Sequence, residues 1–238
     1  MNNQFNEPTG SRVQSATRGA MLRKLRHLGM ALAVAFALPI GAQEPNSVTS
    51  TVTDAAGDAI FPFRLYDGPV PPWIDVVKAS VTLTQGVFHF EIKVSTAIPS
   101  NGDPGLNPSV NHLGSTFGIE TDRKTAEHFN FHGHPGNYYF NFLIGALYVI
   151  GDSGVGLDPG WRGFMLGPDG VSEIPLVIRG DTYVFETSAA SLGSPASFDW
   201  AVLSECDPVP VTEEKNKSLL IVDYAPDRGY ASWPPSQP

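Results

Sequence analysis

The chain has 238 residues, of which 42% are hydrophobic and 16% are charged, and its formal net charge is −9. This length suits one domain with a sizeable core, while the 24 Gly and 21 Pro residues disfavour long helices. An acidic surface repels nucleic acid and anionic lipid, so neither is expected as a partner. The single cysteine, Cys206, excludes an internal disulfide.

The N-terminal segment has the pattern of a secretory signal peptide. Basic residues follow Met21, an apolar run covers 28–40, and small residues end at Ala42. The run is shorter than the roughly 20 residues that span a bilayer, so we expect cleavage rather than membrane insertion. Residues 1–42, an N-terminal extension with this signal peptide, hold five basic residues and one acidic residue. The rest then carries 10 Lys and Arg against 23 Asp and Glu, a charge of −13, in a secreted or periplasmic protein.

The first predicted elements are a strand over 46–53 and a β-hairpin. Apolar and polar residues alternate in a first run, whose apolar members are Val77, Ala79, Val81 and Leu83. A second alternating run follows from Phe88 to Val94. Gln85 and Gly86 separate the two runs and form a two-residue turn. The hairpin therefore has one buried face and one polar face.

Further short strands are predicted through the rest of the chain. They cover 115–121, 138–150, 161–166, 176–179, 182–187, 198–204 and 218–224. The segment 138–150 is apolar at both odd and even positions, as expected of a strand central to a sheet, whose two faces are both buried. One helical turn is predicted over 188–193. The pattern predicts an all-β fold, a single two-sheet antiparallel β-sandwich of the jelly-roll or immunoglobulin-like kind over 43–233, with a Pro-rich tail over 234–238.

Acidic residues near both ends of the sandwich suggest a calcium site. Asp54 and Asp58 flank Gly57, Asp75 opens the next strand, and Asp223 and Asp227 lie near the C-terminus. Calcium takes 6–8 oxygen ligands, and the first and last strands of a sandwich often lie close together. Asp54, Asp58 and Asp75 are the preferred subset. The alternative is a solvated turn, because Asp and Gly are also common turn residues.

A histidine cluster offers a second candidate metal site. In an extended chain His128, His132 and His134 share one face, and three imidazoles can bind Zn²⁺ or Cu²⁺. The alternative is a solvated loop or strand edge, which the nearby Gly133 and Pro135 favour.

An aromatic residue beside a basic one suggests a sugar subsite. Trp161 lies between Pro159-Gly160 and Arg162, which predicts an exposed ring, whereas Trp200 is expected in the core. An exposed indole can stack on a pyranose while the guanidinium of Arg162 donates to its hydroxyls.

Two short segments look like protease signatures but do not predict an enzyme. Thr125–His128 and Gly151–Gly154 resemble the histidine and serine motifs of chymotrypsin-like proteases. In that fold the two residues lie in separate barrels with the triad Asp between them in sequence, and 25 positions between His128 and Ser153 leave no room for this. No other nucleophile–base pair can be assigned, so no catalytic activity is expected.

Six motifs in chain order resemble the DOMON-like group of bacterial secreted sandwich domains, which is similar to family 9 carbohydrate-binding modules. The motifs are Asp54-x-x-Gly-Asp58, Ile74–Val77, Gly118–Asp122, Val184–Gly193, Phe198–Trp200 and Asp223–Asp227. The chain departs from the group at Glu120, where Asp is more usual, and in its His-rich segment after Asp122. The resemblance implies glycan or ligand binding without catalysis, often with a structural calcium.

Together these observations predict an exported, non-catalytic protein that binds a carbohydrate or another small ligand and carries a structural calcium. Two alternatives stay open. One is a periplasmic transition-metal-binding protein that uses His128, His132 and His134, and the other is a structural surface component.

Overall fold

The computed structural model describes residues 47–59, 71–101, 114–122, 140–149, 160–206 and 221–235. Within these ranges the chain forms twelve β-strands and a short 3-10 helix. The strands are β1 (Val48–Thr53), β2 (Val76–Thr84), β3 (Val87–Val94), β4 (Gly114–Glu120), β5 (Phe142–Val149), β6 (Gly160–Gly167), β7 (Gly170–Ile174), β8 (Leu176–Arg179), β9 (Thr182–Ser188), β10 (Phe198–Cys206), β11 (Ile221–Ala225) and β12 (Ala231–Trp233).

The strands form two antiparallel sheets that pack face to face. The first sheet has the order β1-β2-β3-β9-β8, and the second has the order β11-β10-β4-β5-β6-β7 with β12 paired to β10. The chain passes from the second sheet to the first at Pro175, the one residue between β7 and β8. The predicted all-β two-sheet sandwich is therefore confirmed.

The core lies between the inner faces of the two sheets and is rich in aromatic side chains. Phe88 and Phe90 of β3 are fully buried, as are Phe117 of β4 and Trp200 of β10. The Phe90 and Phe117 rings lie 5.1 Å apart and the Phe117 and Trp200 rings 5.5 Å apart, so aromatic contacts join the sheets. The core position predicted for Trp200 is confirmed.

The predicted hairpin is β2–β3, and its turn has the expected chemistry. Gln85 and Gly86 both have positive φ, 51° and 78°, as a type I′ turn requires. The predicted inward alternation differs at one place. The pairing with β3 shifts between Val76 and Lys78, so Val76 lies in the core and Val77 is only partly buried. A β-bulge of this kind adds a residue to one strand and reverses which side chains face inward before it.

The remaining predicted elements are confirmed within the described residues, while residues 46, 138–139, 150 and 218–220 of the predicted strands lie outside them. Ser188 caps the 3-10 helix Ala189–Leu192, because its Oγ accepts the N–H of Ser191. Two strands lack a prediction from sequence, β7 and β12, and both are short and poor in regular alternation. In the described ranges no helix is long and apolar enough to cross a membrane. The predicted signal peptide lies outside the described residues.

Candidate functional site

The candidate site lies at one side of the sandwich, where the edges of the two sheets meet. β1 is the last strand of the first sheet, and β11 is the last strand of the second. The turn that follows β1 carries Asp54 and Asp58, while Asp223 lies in the middle of β11. The two sheets therefore each contribute carboxylates to the same place.

Three carboxylates converge at the seam, the place where the β1 edge of the first sheet meets the β11 edge of the second. Asp54, Asp58 and Asp223 each offer an oxygen, and these oxygens all lie within 4.8 Å of one another. Asp223 is buried, with 2% of its surface exposed, and the other two are partly buried. Such spacing places the three oxygens within reach of one cation, whose bonds to oxygen are 2.3–2.6 Å for calcium.

Backbone hydrogen bonds fix the side chain of Asp223. One oxygen accepts the N–H of Val76, at the start of β2 in the other sheet, and Oδ1 accepts the N–H of Tyr224 at 2.9 Å. The carboxylate of Asp223 therefore joins the two sheets directly.

The loop with Asp54 and Asp58 is held at two points. The N–H of Asp54 donates to the carbonyl of Val77 at 3.1 Å. The N–H of Gly57 donates to both side-chain oxygens of Asp75, each at 2.9 Å. Gly57 has a φ of 88°, a conformation that favours glycine, so the sequence Asp-Ala-Ala-Gly-Asp suits this turn.

Burial and mutual repulsion make the three carboxylates costly to ionise. Burial, followed by the charges of Asp227 and Asp58, raises the pKa of Asp54 to about 7. Burial also raises the pKa of Asp223 to about 8, with smaller effects from the charges of Asp54, Asp58 and Asp75, while the hydrogen bond from Val76 opposes the rise. The pKa of Asp58 is raised by burial and by the charge of Asp227.

The residues fit a hard cation. Among the described residues, no donor reaches Asp54 Oδ2 or Asp58 Oδ1, although both oxygens are buried. A buried carboxylate oxygen without a hydrogen bond is unfavourable, and a cation would satisfy both atoms. Because every candidate ligand is a carboxylate oxygen, the chemistry suits calcium better than zinc or copper.

Asp75 and Asp227, the other two predicted calcium ligands, lie beside this group rather than in it. Asp75 is buried and faces Gly57, whereas Asp227 is exposed in the turn after β11. Both lie close enough for their charges to raise the pKa of Asp54 and Asp58. The preferred subset from sequence included Asp75, and the structure has Asp223 in its place because β11 packs beside β2.

Trp161 and Arg162 do not share one surface. They are consecutive residues of β6, so their side chains point to opposite faces of the sheet. Trp161 is partly buried against the core, its ring 5.3 Å from that of Tyr148 and 5.4 Å from that of Tyr183, and its Nε1 donates to the carbonyl of Pro99. Arg162 lies 3.6 Å from Glu173 of β7. The exposed indole beside a guanidinium, as predicted from sequence, is absent from this strand.

The structure also has an open pocket of 260 Å³ that the sequence did not suggest. Its polar floor is a row across three paired strands, in which Asp199 of β10 lies opposite Glu120 of β4 and Ser232 of β12. The hydroxyl of Ser232 donates to Asp199 at 2.7 Å. Only strand pairing assembles this row, because its members are far apart in sequence.

The histidine cluster, His128, His132 and His134, lies outside the described residues, as do Ser153 and the protease-like motifs around it. Metal binding by these histidines stays a prediction from sequence. A scan against protein-family models found no match for this chain. A search of curated proteins likewise found no match.

Proposed function

We propose that this chain is an exported, non-catalytic binding protein whose sandwich is stabilised by one calcium ion. The convergence of Asp54, Asp58 and Asp223 carries the proposal, because two of their buried oxygens have no donor among the described residues. The formal charge of −9 favours cations at the surface in general. The calcium would neutralise carboxylates that otherwise repel one another.

The three carboxylates supply only part of what calcium needs. Calcium takes 6–8 oxygens, so backbone carbonyls and water would complete its coordination. Asp227 is exposed and near enough to interact electrostatically with the group, which makes it a candidate for a further or water-mediated ligand. The role of the ion here is structural, since it joins the loop after β1 to β11.

A calcium titration followed by calorimetry tests the site. The wild-type protein is expected to bind one calcium, and Asp58→Asn is expected to weaken binding strongly because it removes one charged ligand. Asp169→Asn is the matched control, since it makes the same charge change in the exposed turn between β6 and β7. Equal affinities in the two variants, or no calcium binding by the wild type, would contradict the proposal.

The proposed ligand is a carbohydrate, on the basis of the resemblance to DOMON-like and family 9 carbohydrate-binding domains. The open pocket supports this choice, because carboxylates such as Glu120 and Asp199 and the hydroxyl of Ser232 can hydrogen-bond to sugar hydroxyls. A glycan array with calcium and with chelator is the direct test. Binding that is lost in Asp199→Asn but kept in Asp169→Asn would place the sugar in this pocket, and an array without any signal would reject carbohydrate binding while leaving the calcium site intact.

A further inference from the structure

Asp75, the residue just before β2, contacts the loop that carries Asp54 and Asp58, and Val76, the first residue of β2, contacts Asp223. The side chain of Asp75 accepts the N–H of Gly57, which lies between Asp54 and Asp58. The backbone N–H of the next residue, Val76, donates to the side chain of Asp223. The loop from the first sheet and the strand from the second are thus both positioned by the beginning of β2.

The geometry separates Asp75 from the residues that converge. Among the described acidic side chains, the group with oxygens within 4.8 Å consists of Asp54, Asp58 and Asp223. The carboxylate of Asp75 accepts the N–H of Gly57, which its two oxygens share, whereas Asp54 Oδ2 and Asp58 Oδ1 have no donor in the described part of the chain. Only 4% of the surface of Asp75 is exposed, so its hydrogen bond with Gly57 is shielded from solvent.

We propose that Asp75 is a positioning residue of the cation site, which acts through Gly57, and is not one of its ligands. This inference rests on the proposed calcium site. By holding Gly57, Asp75 fixes the turn that presents Asp54 and Asp58 to Asp223 before the cation binds. Groups that orient metal ligands in this way commonly change metal affinity by about 10–100-fold when they are removed.

Terbium luminescence can distinguish a positioning residue from a ligand. Tb³⁺ occupies oxygen-ligand calcium sites, and its lifetimes in H₂O and D₂O report how many water molecules it binds. At saturating Tb³⁺, Asp75→Ala is expected to show the same number of bound waters as the wild type, while Asp58→Ala shows more. An additional bound water in Asp75→Ala would mean that Asp75 is a ligand, and would overturn the inference.

Calcium affinity provides the second measurement. Asp75→Asn keeps a side-chain carbonyl that can accept the Gly57 N–H, whereas Asp75→Ala does not, and both remove the same charge. We therefore expect Asp75→Asn to bind calcium more tightly than Asp75→Ala, with the alanine variant weakened by about 10–100-fold. Equal affinities for the two variants would contradict the role assigned to this hydrogen bond.

A double-mutant cycle tests the route through Gly57. Gly57→Ala strains the turn at its φ of 88° without a steric clash, and Gly86→Ala is the matched control, with a φ of 78° in the β2–β3 turn. Gly57→Ala should weaken calcium binding while Gly86→Ala should not. The variant with both Asp75→Ala and Gly57→Ala should lose less affinity than the two single losses combined. Fully additive losses would overturn the inference.

The absence of calcium and terbium binding in the wild type would reject the calcium site itself. That result differs from each of the outcomes that would overturn only the role of Asp75.

Discussion

At the scale of single residues, the main feature is a group of three carboxylates, of which Asp223 is buried and Asp54 and Asp58 are partly buried. Asp223 is fixed by two backbone N–H groups, and Asp54 and Asp58 are brought to it by a turn anchored on Asp75. The pKa of Asp54 is raised to about 7 and that of Asp223 to about 8, mainly by burial. These carboxyls therefore hold protons more tightly in the folded chain than in the unfolded chain.

This difference predicts how stability depends on pH when no cation is present. The stabilising effect of the protonated carboxyls is fully present below their ordinary pKa of 3.8 and is lost as pH rises through about 7 to 8. The melting temperature in chelator is therefore expected to fall between pH 5 and pH 8. Asp54→Asn should reduce this dependence, because it removes one of the groups with a raised pKa.

Scanning calorimetry across this pH range provides the measurement. The hydrogen bond from Thr182 and the charge of Lys93 lower the pKa of Asp181, so this carboxyl does not contribute to a change in melting temperature between pH 5 and pH 8. Saturating calcium should suppress the fall, since the bound ion favours the ionised carboxylates. A melting temperature that rises from pH 5 to pH 8 in chelator would contradict the account of this group.

At the scale of elements, the seam between β1 and the second sheet depends on a few polar contacts. Ser50 of β1 is buried, and its hydroxyl donates to the carbonyl of Ser232 in β12 at 2.7 Å. It also accepts the indole N–H of Trp200 at 3.3 Å, and the indole of Trp233 donates to the carbonyl of Val48. β1 is thus joined to the second sheet on the same side as the carboxylate group.

Replacing Ser50 tests this seam. Ser50→Ala leaves the buried N–H of Trp200 without this partner, and an unsatisfied buried donor costs about 1–3 kcal/mol. Thr49→Ala is the control on the same strand, because the bond of Thr49 to Thr82 is exposed to solvent and is expected to contribute little. Urea unfolding of the two variants gives the comparison. A smaller loss for Ser50→Ala than for Thr49→Ala would show that the seam does not depend on this hydroxyl.

At the scale of the whole molecule, the proposed ion would stabilise the fold through mass action. A ligand that binds the native state alone adds about 2.7 kcal/mol at a hundredfold excess over its dissociation constant. For a domain of this size we expect chelation to lower the melting temperature by about 5–10 °C, and added calcium to restore it.

Amide hydrogen exchange shows which parts of the chain the proposed calcium ion stabilises. Because the carboxylates come from the loop after β1 and from β11, amides in these two elements should lose protection first when calcium is removed. Amides of β3 and β9, in the middle of the first sheet, serve as the internal reference. Identical melting curves in calcium and in chelator would contradict a structural ion.

The sequence by itself determined the strands with regular alternation and their turns. The β2–β3 hairpin follows from a period of two and from Gln85-Gly86, because local backbone preferences decide both. The short strands β7 and β12 and the bulge beside Val76 were decided by pairing with neighbouring strands, which leaves little trace in local pattern. Sequence also pointed to the acidic residues, since Asp and Gly at this spacing suit a cation loop.

Only the tertiary structure decided how those residues divide their roles. Asp223 joins Asp54 and Asp58 because β11 packs beside β2, a contact between residues 147 positions apart. Asp75 faces Gly57 because the chain returns along β1, and Trp161 packs inward because the second sheet closes over the first. These are long-range contacts, and a local pattern does not specify which distant segment fills the space beside a side chain.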